Sequence, residues 1–266
     1  MPFAPEGREL AQLLKRKAPD EDIQAVIERI HSSAIDQSLD PLVTSTDVFT
    51  TAVLAVGSKS LSHVLAAIER TKERLMDAGA ASGPARAQII SAVMNFWSAH
   101  PGVAITIIEK LLNYGIITPA AVVQWALLGY AGQTKGEALA RSYIYEMVFN
   151  TVAKVTKRTR DVLSAPRPTE PQQDVDMSSS EAEETKQREL ATMKELFKAM
   201  EDALVAWASG SKDELLEDNS LDDAAREERD ALVKRWGERW LRAVRRKSAI
   251  EDAFVIEATK AEATKA

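Results

Sequence analysis

The sequence predicts an all-α protein built from stacked helical hairpins, and three observations favour this fold class. Apolar residues recur at three- and four-residue intervals along most of the chain, which places them on one face of successive helices. Short breaks that contain proline or glycine separate these segments, and connections this short force neighbouring helices to pack antiparallel. No segment alternates apolar and polar residues convincingly enough to indicate a strand.

Residues 86–129 show the clearest succession of helices, with three apolar segments in a row. His100-Pro101 ends the first segment, because proline disfavours a helical residue before it and suits the first turn of the next helix. Gly115 can adopt the left-handed conformation that closes the second segment. Thr118-Pro119 is typical of an N-cap followed by proline at the first helical position, which opens the third.

The remaining helices are predicted from the same periodicity and the same breaks. Upstream, Leu39-Asp40-Pro41 is interpreted as a break, and Thr46 or Asp47 as the cap of the helix that follows it. The predicted helices outside the central stretch cover residues 6–17, 46–57, 60–78, 137–163, 183–208 and 221–254. A further helix is predicted to open at Pro19-Asp20, with Ile23, Val26, Ile27 and Ile30 on its buried side. Helix pairs would begin near residues 20, 60, 101 and 136, a spacing similar to the roughly 40-residue period of HEAT-like α-solenoids.

Composition along the chain predicts four regions. Residues 1–163 form the helical-hairpin stack. The Pro- and Ser-rich segment 164–182 is predicted to be a disordered linker, because so few apolar residues cannot offset the entropy of ordering. Its serines 178–180 precede glutamates and are candidate sites for an acidic-directed kinase. Residues 183–256 supply two C-terminal helices that pack on the same domain, and 257–266 form a tail expected to fray.

Charge and composition exclude several classes of protein. The 266 residues carry a net charge of −6, which argues against a protein whose whole surface binds a phosphate backbone. The absence of cysteine excludes disulfides, thiolate zinc sites and a cysteine nucleophile. The N-terminal residues lack the pattern of a signal peptide, and no stretch approaches the roughly 18 apolar residues of a membrane span. We expect a soluble protein of the cytosol or nucleus with no membrane partner.

No motif in the sequence supports catalysis, a metal or a cofactor. His31, His63 and His100 show no spacing typical of metal ligands, and His63 has no acidic residue placed to orient it. The glycines between residues 129 and 136 follow no strand and indicate a flexible turn rather than a phosphate loop. The five tryptophans occupy helical stripe positions, so core packing is favoured over a stacking platform. They are Trp97, Trp125, Trp207, Trp236 and Trp240.

Charge is segregated near the C-terminus. Residues 170–230 have a net charge of −12, whereas residues 231–250 contain seven basic residues and one acidic residue. One interpretation is intramolecular, with a basic helix packed beside an acidic one. The other is a surface patch for RNA or an acidic partner. The patch would comprise Arg235, Arg239, Arg242, Arg245, Arg246 and Lys247.

Several motifs recur together in the central and upstream stretches. They are Ser58-Lys59-Ser60 with Ser62-His63, Trp97 with His100-Pro101, Ile107 to Lys110, and Thr118 to Trp125. With these motifs the chain resembles a known family, the large subunit of the nuclear cap-binding complex, in the C-terminal region of a fungal form. The resemblance is strong over residues 6–163 and weaker over the last two helices.

This resemblance implies a superhelical scaffold of three helical-hairpin domains related to the middle domain of initiation factor 4G. In that family the large subunit grips a small subunit with an RNA-recognition fold, and the small subunit stacks the 7-methylguanosine cap. The scaffold recruits factors for splicing, export and decay, including nonsense-mediated decay. The resemblance also implies a nuclear location, with shuttling to the cytoplasm. This sequence matches only the third domain and has a short linker where animal relatives carry a long charged coiled coil.

We therefore expect a non-catalytic scaffold that binds the small cap-binding subunit and RNA-processing factors, and meets capped RNA indirectly. The alternative is a helical module that binds RNA directly through its basic C-terminal helix.

Overall fold

The computed structural model describes residues 3–128, 137–165, 175–209 and 222–265, and these residues form twelve α-helices and no strand. The predicted all-α class is confirmed. The helices are α1 Ala4–Arg16, α2 Asp20–Asp36, α3 Pro41–Gly57, α4 Leu61–Arg70, α5 Lys72–Ala81, α6 Gly83–Phe96, α7 Pro101–Asn113, α8 Pro119–Leu128, α9 Glu137–Ala140, α10 Ser142–Leu163, α11 Val175–Ala208 and α12 Asp223–Lys265. None of these described helices is long and apolar enough to cross a membrane.

The chain divides into two compact units, Met1–Trp125 and Ala126–Ala266. The division predicted from the sequence stays a prediction. It comprises a stack over residues 1–163, a linker over 164–182 and two helices over 183–256. Residues 166–174 lie outside the described residues, and α11 begins at Val175, ahead of the predicted start at 183. Helix α12 continues through residues 257–265, where the sequence predicted fraying.

Helix α3 lies at the centre of the first unit. It contacts α1, α2, α4, α5 and α6, so most of its sides are covered by protein. Its side chains are accordingly apolar over most of its length, and Phe49, Val53 and Leu54 are buried. Helices that follow one another in the chain, such as α1 and α2 or α5 and α6, also contact each other. Such neighbour contacts are what short connections produce.

The start of α3 differs from the prediction. The helix begins at Pro41, and the Asp40 side chain caps it by accepting hydrogen bonds from the backbone N–H groups of Leu42 and Val43, at 2.9 and 3.0 Å. Thr46 and Asp47 lie inside the helix, so their assignment as the cap was wrong. The Asp-Pro pair that indicated a break is the N-cap and first position of the helix.

Two predicted helices are each interrupted. The helix expected over residues 60–78 divides at Thr71, whose hydroxyl donates to the carbonyl of Ala67 at 3.0 Å. Such side-chain to backbone bonding competes with the helical ladder. The helix expected from residue 137 divides at Arg141, which has extended backbone angles (φ −93°, ψ 114°).

Arg74 connects three helices of the first unit. From α5, its Nε donates to Asp20 Oδ1 at 3.1 Å and its Nη1 donates to Gln24 Oε1 at 2.9 Å, both on α2. Its guanidinium also lies over the Phe49 ring of α3, 6.0 Å from the centroid. The hydrogen bond from Arg74 holds the pKa of Asp20 below its usual value, against a smaller opposing effect of desolvation.

The second unit is built from α10, α11 and α12, which contact one another, with α9 against α10 and α12. Its core combines methionine, branched and aromatic side chains, including Met147, Met200, Leu204 and Trp240. Trp207 of α11 donates from Nε1 to the carbonyl of Leu127 at 2.7 Å, which satisfies its buried N–H group.

Candidate nucleic-acid interface

Helix α12 carries the predicted basic patch, and its opposite face is fixed to the rest of the second unit. Val233, Trp240, Leu241 and Val244 are buried. Gly237 lies where α12 meets α11, because a Cβ atom there would lie only 3.1 Å from Trp207 Cβ. The absence of a side chain therefore permits the close contact between these two helices.

An aromatic cluster holds the same face against α10. Tyr145 and Phe149 stack with ring centroids 4.2 Å apart, and the Trp240 ring meets Tyr145 edge to face at 5.0 Å. Edge-to-face and offset-stacked arrangements are favoured by the ring quadrupoles. They add to the apolar burial that fixes the rotation of α12 about its axis.

A buried carboxylate fixes α12 further along its length. Glu251 Oε2 accepts from Arg160 Nε of α10 at 2.6 Å, and its Oε1 lies 2.6 Å from Lys247 Nζ, while its side chain is only 1% exposed. Desolvation acts to raise the pKa of Glu251, but the hydrogen bonds from Arg160 and Lys247 outweigh it and hold the pKa below the usual value. Glu251 is thus a charged anchor between α10 and α12.

Four of the six predicted patch residues lie together on the outer face of α12. Arg235, Arg239, Arg242 and Arg246 are exposed, at relative positions 0, 4, 7 and 11 along the helix. At 3.6 residues per turn these offsets fall within about 60° of one another. The buried residues Trp240 and Val244 lie on the opposite side of the helix. We call these four residues the arginine stripe.

The other two predicted members are engaged within the protein. Arg245 Nε donates to Glu201 Oε1 of α11 at 2.8 Å, and Lys247 contacts the buried Glu251. The sequence left two interpretations of the basic segment open, intramolecular pairing and a surface patch. The structure divides the residues between them: Arg245 and Lys247 are paired with acidic side chains of the same unit, and the arginine stripe is exposed.

The tryptophan predictions are confirmed at three positions and met only in part at two. Trp125, Trp207 and Trp240 are buried, and Trp125 Nε1 donates to Ser91 Oγ at 2.9 Å. Trp97 and Trp236 are only half-buried. Trp236 lies beside the arginine stripe, and the Arg239 guanidinium sits over its ring, 5.1 Å from the centroid. This contact was not foreseen, because it needs the rotation of α12 to be known.

The histidines occupy local structural positions in the first unit. His63 Nδ1 lies 2.7 Å from Ser60 Oγ at the start of α4, and His31 Nε2 lies 2.8 Å from Ser45 Oγ. Across the described ranges, no three histidine or carboxylate side chains gather as a metal would require. The glycines predicted to form a turn at 129–136 lie outside the described residues.

The sequence did not single out a shallow apolar groove in the first unit. It runs between α1 and α3, with a volume of about 420 Å³. Its lining includes Phe3, Gly7, Val43 and Val48, together with Asp47 and Gln88, where Gln88 Nε2 donates to Asp47 Oδ1 at 2.8 Å. The apolar positions of α1 and α3 are individually ordinary, so only their tertiary arrangement reveals the groove.

The chain is similar to several curated proteins that share one name. It is 25% identical over 159 residues to nuclear cap-binding protein subunit 1 of Xenopus tropicalis, covering 58% of this chain and 19% of the relative. The protein of the same name from Aedes aegypti is 27% identical over 195 residues, covering 69% and 23%. That from Schizosaccharomyces pombe is 23% identical over 163 residues, covering 61% and 20%. The chain spans about a fifth of the length of these relatives.

The comparison with family models covers nearly the whole chain. The model described as MIF4G like matches residues 1–253, which include every helix from α1 to α11 and most of α12. The MIF4G-like domain is an α-helical solenoid, the architecture that the helical spacing predicted. The resemblance drawn from the motifs around His63, Trp97 and Trp125 is thereby confirmed. The chain belongs to the MIF4G-like family.

Proposed function

We propose that this chain is a non-catalytic scaffold of the nuclear mRNA cap-binding complex. The observation that carries this proposal is the match of residues 1–253 to the MIF4G-like family together with the shared name of the relatives, nuclear cap-binding protein subunit 1. Because the chain corresponds to about a fifth of those relatives, we assign it the role of one helical domain within a larger scaffold.

The chemistry of the described residues supports a binding role. Two buried polar groups are used for structure: Glu251 is paired with Arg160, and Ser91 accepts from Trp125. A scaffold role is then carried by sites on the surface of the fold. The proposed main partner is the small cap-binding subunit with an RNA-recognition fold, which would hold the 7-methylguanosine cap.

The same role implies further partners and a location. We propose that the chain works in the nucleus, with shuttling to the cytoplasm, and that its exposed faces contribute to recruiting factors for splicing, export and decay of capped RNA. Exposed apolar side chains at the α2–α3 corner offer such a contact, since Ile35, Leu39 and Leu42 are 63%, 42% and 38% exposed. Single exposed apolar residues are ordinary, but a group at one corner is typical of an interaction surface.

Co-expression with the small subunit of the same organism tests the proposal. We expect the two chains to co-elute from a size-exclusion column as one species, whereas an unrelated RNA-recognition-fold protein elutes separately. Failure of the chain to co-elute, both alone and when the remaining scaffold domains are restored, would contradict the proposal.

A further inference from the structure

We propose that the arginine stripe of α12 binds the phosphate backbone of single-stranded RNA. This inference goes beyond the scaffold role, because it assigns a direct contact with the body of the RNA to residues of this chain. It also narrows the basic segment seen in the sequence from six residues to four, Arg235, Arg239, Arg242 and Arg246.

The spacing of the stripe suits a linear polyanion. Its members are three or four residues apart, which places successive guanidinium groups about 4.5 to 6 Å apart along the helix axis and extends the row over about 16 Å. All four residues are arginine. The planar guanidinium offers paired donors that match phosphate oxygens, which a lysine ammonium does not.

The stripe is available for a partner. Within the described part of the chain, Arg235 and Arg246 have no acidic partner, and Arg242 lies 4.0 Å from the exposed Glu238, the outer limit of an ion pair. Exposed pairs of this kind contribute little, since solvent screens them. RNA would therefore displace only weak internal interactions.

The stripe is also held in place before binding. The buried residues Trp240 and Val244 and the anchor between Glu251 and Arg160 fix the opposite face of α12. Trp236 supports Arg239 by stacking under its guanidinium. A pre-ordered row of charges loses less conformational entropy on binding than a flexible one.

RNA fits this surface better than an acidic protein segment. The basic residues form one straight row beside a half-buried indole, the combination of charge and aromatic surface found in single-strand binding sites. The charge is local: residues 231–250 have a net charge of +6 in a chain whose net charge is −6. A uniform phosphate backbone can engage every position of such a row.

Fluorescence anisotropy on the whole chain tests the proposal, with an uncapped, fluorescein-labelled oligouridine of about 15 nucleotides as the probe. Four phosphate contacts predict that log K falls with log salt at a slope of about −2.8 for a single strand. The same slope predicts roughly 50-fold weaker binding at 200 mM than at 50 mM salt. Each single Arg→Gln variant of the stripe should lower the slope by about 0.7.

A charge-matched pair of variants makes the test specific. The stripe variant R235E/R239E/R242E/R246E should abolish binding. The control K15E/K59E/K157E/K198E changes the net charge equally at exposed positions on helices or connections other than α12, and it should retain binding within about threefold after correction for ionic strength. Circular dichroism and the melting temperature establish that both variants are folded. Trp236→Ala should weaken RNA binding by loosening Arg239, and Trp236→Phe should weaken it less.

Three results would overturn the proposal: a salt slope near zero, equal loss of binding in the stripe and control variants, or stripe-dependent binding of a fluorescein-labelled glutamate-rich peptide without binding of RNA. The last result would identify an acidic protein as the occupant. The stripe variant should still co-elute with the small subunit, so loss of RNA binding and failure of the scaffold role are separate outcomes.

Discussion

Arg160 of α10 and Glu251 of α12 form an ion pair, with Nε and Oε2 2.6 Å apart, at a carboxylate that is only 1% exposed. The two residues are 91 positions apart in the chain. The pair joins the helix that carries the arginine stripe to the body of the second unit. Lys247 completes the site from one turn earlier on α12.

Replacement of Glu251 by Gln should destabilise the second unit. The substitution keeps the shape of the side chain but removes the charge that Arg160 and Lys247 contact. Since both cations are partly exposed and can regain water, we expect a loss of about 1–3 kcal/mol in the free energy of unfolding, measured in urea at pH 7. Glu238→Gln, at an exposed position on the same helix, should change it by less than about 0.5 kcal/mol. Equal effects of the two substitutions would show that the anchor is not important.

The same carboxylate predicts a pH dependence. The pKa of Glu251 is lower in the folded than in the unfolded state, so the unfolded state takes up the proton first as the pH falls. The stabilisation is fully present above about pH 4.3, the ordinary glutamate value, and is lost as the pH falls through the lower folded pKa. Urea unfolding of the wild type and of Glu251→Gln between pH 7 and 3 should therefore give curves that converge at low pH. A constant difference at every pH would contradict this assignment.

Gly57 is predicted to be intolerant of alanine, although alanine favours helices. A Cβ at this position would lie 2.3 Å from Val64 Cα and 2.9 Å from the carbonyl oxygen of His63, so α3 and α4 would have to separate. We expect Gly57→Ala to lower the free energy of unfolding by about 2–3 kcal/mol. Gly102→Ala in α7, where a Cβ meets no atom within 4 Å, should instead stabilise the protein by up to about 1 kcal/mol. Equal effects would mean that the helix contact at Gly57 is looser than described.

Trp125 and Trp97 should respond differently to phenylalanine. Trp125→Phe removes the hydrogen bond to Ser91 and leaves buried space. We therefore expect the free energy of unfolding to fall by about 1–3 kcal/mol, measured by urea unfolding with circular dichroism as the signal. The indole N–H of Trp97 is buried without a hydrogen-bond partner among the described residues, and its ring is only half-buried. Trp97→Phe should therefore cost less than about 1 kcal/mol. The reverse order would refute the roles assigned to the two rings.

Asp40→Ala tests where α3 begins. Loss of the cap at the N–H groups of Leu42 and Val43 should cost about 1 kcal/mol. Asp77→Ala, at an exposed site within α5, serves as the control and should be nearly neutral. If Asp40→Ala left the stability unchanged, the result would favour the later start of α3, at residue 46 or 47, that the sequence alone suggested.

The sequence predicted the helical class and most helix positions, because apolar periodicity and Pro/Gly breaks are local signals. The sequence predicted less well which face of each helix is turned towards the core. Leu232, Trp236, Trp240 and Val244 follow four-residue steps, but each step advances about 40° around the helix, so Leu232 lies about 120° from Val244. Leu232 is accordingly 44% exposed and Trp236 half-buried, whereas Trp240 and Val244 are in the core.

Tertiary partners explain the rest of what sequence could not predict. The basic residues of α12 look alike in sequence, yet Arg245 reaches Glu201 and Lys247 reaches Glu251 only because α11 packs beside α12 and α12 completes one more turn. The division of a helix at Thr71 likewise depends on a hydroxyl that bonds to the preceding turn. The folded structure is therefore needed to tell which basic residues of α12 are paired within the protein and which are exposed.

The most direct test of the scaffold role is retention on 7-methylguanosine beads, with and without the small cap-binding subunit. We predict that the chain is retained only when the small subunit is present, and that free cap analogue releases both. Retention of the chain without the small subunit would contradict the scaffold role, and so would its absence from beads that hold the small subunit even when the remaining scaffold domains are restored.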